Sequence, residues 1–142
     1  MAEIVKSALI LRTPVQMFEL VNDVKAYPQF LPWCRRVAVL SACDNSMTAS
    51  LTVGKGRVVH SFTTKNILSP HESIHMQLVD GPLSRLQGTW QFKALGPDGC
   101  RVTLALDYGL TGRLSALAAE SVLQSMAGEV MDAFIKRAGE LY

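Results

Sequence analysis

Charge is scarce in this sequence. Asp, Glu, Lys and Arg make up 18% of it, against 49% hydrophobic residues, and the net charge is +2. That balance excludes a disordered tail, which needs high charge and few apolar residues to stay open. No dense basic stripe with interleaved aromatics appears, so charge alone predicts no direct RNA binding, and DNA binding is not expected. The three cysteines, Cys34, Cys43 and Cys100, form no CxxC pair. Their odd number and wide spacing argue against a disulfide or metal framework and for a reducing compartment. No run approaches the roughly 18 apolar residues that span a bilayer. A Gly-rich phosphate loop and a Ser–His–Asp grouping are also missing, since "VGKGR" reads as a hairpin tip. Proline is absent from Arg113 to Leu141, which leaves a long helix free to form there.

What is present suits one domain over 1–142, large enough for a single core. "EIVKSALIL" reads as a strand from the third residue, so no signal or transit peptide is expected. In "TPVQMFELVND", Thr13 is an N-cap, Pro14 takes the first helical position and Gln16 completes a capping box. Phe18, Val21 and Val24 continue at helical spacing. "VKAYPQFLPWCRRV" then gathers Tyr27, Phe30, Leu31 and Trp33 around Pro28 and Pro32. The prolines confine it to a broken helical turn or a tight loop.

From Arg36 to Leu110 the period falls to two. "MTASLTV" puts Met47, Ala49, Leu51 and Val53 on one face, and "SIHMQLV" does so with Ile74, Met76 and Leu78. "SRLQGTWQFKA" aligns Leu86, Gly88, Trp90 and Phe92; "CRVTLALDY" aligns Val102, Leu104, Leu106 and Tyr108. Such alternation predicts antiparallel strands with one buried and one wet face. The turns fall at "CDNS", "VGKGR", "SPHES", "DGP" and "GPDG". On the final helix, Leu117, Leu123, Met126, Val130, Phe134, Ala138 and Leu141 keep roughly helical spacing. The fold class is therefore α+β. About seven strands form a curved antiparallel sheet around a long C-terminal helix, with two short helices after the first strand: a helix grip.

Two local motifs narrow the reading. "NDVKAYPQFLPWCRRVAV" and "LVDGPLSRLQGTWQF" resemble the two signatures of the coenzyme Q-binding START-domain family, within the START-like and polyketide cyclase superfamily. The resemblance spans nearly the whole chain, with Leu83 where phenylalanine is common after the DGP turn. It implies a non-catalytic carrier of ubiquinone that supports respiration, with ubiquinone as bound ligand and no cofactor required. The bacterial branch of that family also bears the name ribosome association toxin RatA. That branch implies binding of the large ribosomal subunit and a block of subunit joining. A cyclase-like enzyme is the third alternative. The lack of a transit peptide fits a bacterial cytoplasmic protein, with peripheral contact at the inner face of the membrane or with respiratory complexes.

A carrier must shield apolar surface. Each isoprene unit of a polyprenyl quinone is worth roughly 3–4 kcal/mol on burial. Leu51, Val53, Met76, Leu78, Trp90, Phe92, Leu104 and Leu106 face inward on strands, opposite Met126, Val130 and Phe134 on the helix; Gly88 leaves room for close approach. The same residues would make an ordinary packed core, and that alternative stays open. The aromatic segment from Tyr27 to Trp33 has three readings: a lid over the mouth, a wedge into a membrane interface, or a plug at the core's end. For the ribosomal reading the candidates are Arg35, Arg36, Lys55 and Arg57. Catalytic groups are poorly placed: Asp107 points away from Leu104, Asp80 sits in a turn, and His60 lacks an evident partner. His71 and His75 are four apart, which would suit zinc on a helix, but "ESIHMQLV" reads as strand, and Glu120 and Glu129 are expected in solvent.

Overall fold

A computed structural model of the chain describes residues 2–110 and 114–142, apart from the side chains of 114–116. Strand β1 (Ala2–Ile10) leads into α1 (Pro14–Asn22), a 3-10 turn (Val24–Ala26) and the single-turn α2 (Tyr27–Phe30). Six strands follow: β2 (Cys34–Cys43), β3 (Ser46–Lys55), β4 (Val58–Ser69), β5 (Ser73–Asp80), β6 (Arg85–Leu95) and β7 (Gly99–Gly109). Helix α3 (Leu114–Leu141) closes the chain.

All seven strands lie in one antiparallel sheet, ordered β1-β7-β6-β5-β4-β3-β2. Strands β2 to β7 form a meander, and β1 returns to pair with β7, Ala2 opposite Tyr108. The expected turns all fall between strands, because two-residue periodicity fixes which side chains face inward and the Gly, Asp and Asn clusters break it. The sheet curves around α3, which at 28 residues is about 42 Å long.

The capping box is present: Gln16 N–H donates to Thr13 Oγ1 at 3.2 Å, and Thr13 N–H donates to Gln16 Oε1 at 3.0 Å. It starts α1 where its apolar side can bury Met17, Phe18, Leu20 and Val21. Val24 lies beyond the helix, in the 3-10 turn, and is also buried. Two expected helix positions are corrected. Leu117 is 51% exposed, because it sits six residues before Leu123 and so about 120° off the buried stripe. Leu141, also 51% exposed, is the last residue of the helix. The buried stripe runs instead through Ala119, Val122, Leu123, Ala127, Val130, Met131, Phe134 and Ala138. Arg113 lies outside the described residues.

Candidate functional site

The concave face of the sheet and α3 do not pack completely. Between them lies a cavity of about 130 Å³. Its walls follow from alternation: Leu51 and Val53 on β3, Phe62, Thr64 and Asn66 on β4, Met76 on β5, Leu86 and Trp90 on β6, and Leu104 and Leu106 on β7. Leu123, Met126, Ala127, Val130 and Phe134 close it from α3, at the three- and four-residue spacing of one helix face. Val24, Tyr27 and Trp33 complete the wall from the segment between α1 and β2.

Eleven of the sixteen expected ligand-site residues line this space: Tyr27, Trp33, Leu51, Val53, Met76, Trp90, Leu104, Leu106, Met126, Val130 and Phe134. Five do not. Leu31 is fully buried elsewhere in the core, and Phe92 packs behind the cavity, stacked on Trp90 at 6.5 Å and edge-on to Phe18. Leu78 lies toward the β5–β6 turn beside Gly81. Phe30 sits at the surface side of Phe134, covered by the Arg137 guanidinium 5.3 Å from its ring centre. The close approach at Gly88 comes from the protein itself. A Cβ there would meet Leu106 Cδ2 and Met76 Cε, both at 2.7 Å, so those tips fill the gap.

The proline-bound aromatics face inward. Tyr27 is buried, its hydroxyl donates to the Val21 carbonyl, and its ring packs edge-on to Phe134 at 5.5 Å. Phe134 also receives Phe30 and Trp90, each at 5.4 Å. Trp33 is only 9% exposed. The wedge expectation is therefore corrected: the chain turns back at Pro32, Trp33 O accepts from Gly54 N–H at 2.9 Å, and the segment is fastened as wall. Burial pushes the Tyr27 phenol well above its ordinary pKa, with nearby Cys34 and Asp23 adding to the effect.

Sequence reasoning missed the polar part of the wall. Thr64 and Asn66 are both buried, and Thr64 Oγ1 donates to Asn66 Oδ1 at 3.0 Å. Among the described residues the Asn66 amide group has no acceptor. The signal was legible: Phe62, Thr64, Asn66 and Leu68 alternate onto the inward face, and polar residues at core positions ask for a partner. Trp33 Nε1 and His60 Nε2 are likewise buried without hydrogen-bond partners among the described residues.

Other titratable groups stand apart from the cavity. Asp107 pairs with Arg85 at 2.7 Å on the outer face, both about 40% exposed, a pair worth under about 1 kcal/mol. Glu120 is not simply solvated: it accepts from the buried Tyr108 hydroxyl at 2.7 Å, because that phenol ends beneath the start of α3. Desolvation and this bond raise the Tyr108 pKa. Glu129 is exposed, as expected.

The four expected ribosomal contacts gather at one corner. Arg36 pairs across from Thr52, Lys55 ends β3 and Arg57 occupies the following turn. A register shift between Cys34 and Arg36 makes Arg35 a bulge residue, and its guanidinium donates to the Gly56 carbonyl at 2.9 Å. All four cations are exposed, and among the described residues none forms an ion pair.

Comparison with known proteins places this geometry. The family model for polyketide cyclase / dehydrase and lipid transport matches residues 11–135. The chain belongs to this family. Among relatives, it is 45% identical over 137 residues to a ribosome association toxin RatA of Pseudomonas aeruginosa, covering 96% of this chain and 95% of that one. It is 29% identical over 131 residues to the mitochondrial coenzyme Q-binding protein COQ10 homolog B of Xenopus laevis, covering 89% of this chain and 54% of the relative. Among solved structures, the Zhui aromatase/cyclase of Streptomyces sp. R1128 superimposes with a TM-score of 0.85 at 16% identity, covering 97% and 93% of the two chains. A START superfamily protein of Mycobacterium smegmatis gives 0.83 at 17%, covering 99% of each. The fold of this family member is thus the START-like helix grip. No helix of the described residues is long and apolar enough to cross a membrane.

Proposed function

We propose that the protein binds a hydrophobic, carbonyl-bearing ring without transforming it, and that the head group of ubiquinone is the natural occupant. The observation that carries this reading is the cavity's chemistry: apolar walls interrupted by one buried pair, Thr64 and Asn66. The Asn66 amide offers a donor to a ligand oxygen, and among the described residues no carboxylate, histidine or lysine lines the space to act as general acid or base. Its size favours a ring over a tail. A cavity of about 150 Å³ takes benzene, whereas drug-sized ligands need roughly 300–1,000 Å³. A substituted quinone therefore requires Met76 and Met126 to give way, which unbranched thioethers do readily.

The test is mass spectrometry of organic extracts from protein purified without detergent. A stoichiometric quinone, lost on Asn66→Leu in a protein of unchanged fold, supports the reading. Empty wild-type protein that also takes up no added quinone overturns it.

A second reading, association with the large ribosomal subunit, is favoured by the names of the relatives and by the cation corner at Arg35, Arg36, Lys55 and Arg57. Four phosphate contacts give a log–log salt slope of about −3 to −4. Sedimentation with ribosomal subunits across a salt series, repeated with Arg36→Glu and Arg57→Glu together, decides it. Binding that neither salt nor the double variant weakens would eliminate this corner.

A further inference from the structure

The cavity has a neighbour. Outside it, over the β3–β4 turn and the middle of α3, runs a groove of about 290 Å³. Trp33 and Met126 line both spaces, so two side chains form the partition. The backbone at Trp33 is tied to Gly54, which leaves the indole and the Met126 thioether as the parts that can move. The indole is more than nine-tenths buried, yet its N–H has no acceptor among the described residues. A buried donor left unpaired is unfavourable, and a ligand oxygen at the partition would satisfy it.

We propose that the groove is the outer half of one ligand site, taking the chain of a molecule whose ring fills the cavity. This rests on the reading of the cavity as a ring site. The chain leaves between Trp33 and Met126 and lies on a floor that includes Pro32 and Val122. Ser125 flanks that floor, and Arg35, Lys55 and Glu129 rim it, so the apolar path is short and ends in charge. The ligand class is therefore a ring bearing hydrogen-bond acceptors and an alkyl or isoprenoid chain. A few carbons of that chain are held, and the remainder leaves the protein. Joined, the two spaces reach the size of an ordinary small-molecule pocket, which the cavity alone does not.

Equilibrium dialysis with two probes tests this: a dimethoxy-methyl-benzoquinone without a chain, and the same ring carrying a ten-carbon alkyl chain. Each methylene removed from water tightens binding about fourfold, so three or four on the floor give the chain-bearing probe about a hundredfold advantage. Ser125→Phe, which fills the groove without touching the cavity, should erase that advantage and leave the ring's own affinity unchanged. Glu129→Leu, at an exposed position where folding is not at stake, should enlarge it several-fold. Ring binding with no gain from the chain, or a gain untouched by both substitutions, overturns the groove proposal alone. Failure to bind either probe overturns the cavity reading beneath it.

Discussion

The two ends of the concave face are built by the same alternating pattern and come out differently. At the end capped by α1, Phe18 stands edge-on to Phe92 at 5.7 Å and to His71 at 5.5 Å. Met17, Cys100, Val102 and Ala138 there are at most 1% exposed. At the other end Val53 and Thr64 from the sheet face Ala127 and Met126 from the helix, Trp90 and Phe134 stand beside them, and a void remains. Alternation decides which residues face inward; side-chain volume decides whether they touch. Hollow and packed space thus arise within one architecture, from how the inward side chains fit rather than from a different arrangement of strands.

Truncation should separate the two ends most sharply. Phe18→Ala should cost about 3–5 kcal/mol in urea unfolding, whereas Leu51→Ala, half-buried at the cavity wall, should cost about 2 or less. Equal losses would mean that the hollow end is as tightly packed as the other.

Alkaline pH acts on the cavity wall next. Tyr27 in the folded state holds its proton far above the usual phenol value, and burial lifts the Cys34 thiol to about 11. Their neutral forms are favoured by folding, so that contribution is complete below the unfolded pKa values. It is lost as pH rises, first through thiol and then through phenol ionisation of the unfolded chain. For Tyr27 the loss is about 1.4 kcal/mol per pH unit above about 10. Tyr27→Phe should flatten this slope in urea titrations between pH 9 and 11.5; an unchanged slope would assign the effect elsewhere.

Filling reverses the sign of the comparison. Ala127→Leu should be neutral or stabilise by up to about 1 kcal/mol, while Ala138→Leu at the packed end should cost about 1–3. Calorimetry on the pair reads this directly, and a matching loss at both positions would dissolve the distinction.

The smallest effect is kinetic. Cys43 is exposed, and hydrogen bonds, foremost from Ser46, favour its thiolate, so it should react first with a thiol reagent near pH 8. Cys34, beside the hollow end, should follow on local opening, and Cys100, in the packed end, last. Cys100 reacting before Cys34 would contradict the ranking.

Most of the fold was legible because it is written in periods. Met47 to Val53, Leu86 to Phe92 and Val102 to Tyr108 alternate cleanly, and Thr13, Pro14 and Gln16 fix where α1 begins. The site was legible in outline for the same reason. What escaped was three-dimensional. Nothing in the spacing says that Phe92 stacks behind Trp90 while Leu104 borders empty space, since both are inward residues. Nor does it say that the segment from α2 to the start of β2 folds Tyr27 and Trp33 inward, because a proline-bounded turn has no periodicity to orient it. Thr64 and Asn66 were within reach, as polar residues in inward positions of β4, yet their bond to each other appears only once the strand is built.

The pairing of β1 with β7 carries a consequence for synthesis. Ile4 lies opposite Leu106 and Ile10 opposite Cys100, so the first strand finds its partner only after nearly every other strand has been made. During translation at about 5–20 residues per second, β1 waits for several seconds with Ile10, buried in the finished fold, still uncovered and its backbone unpaired. The meander from β2 to β6 forms locally in that interval, and the long-range closure comes last and slowest. The newborn chain is thus an open sheet with an apolar strand hanging free.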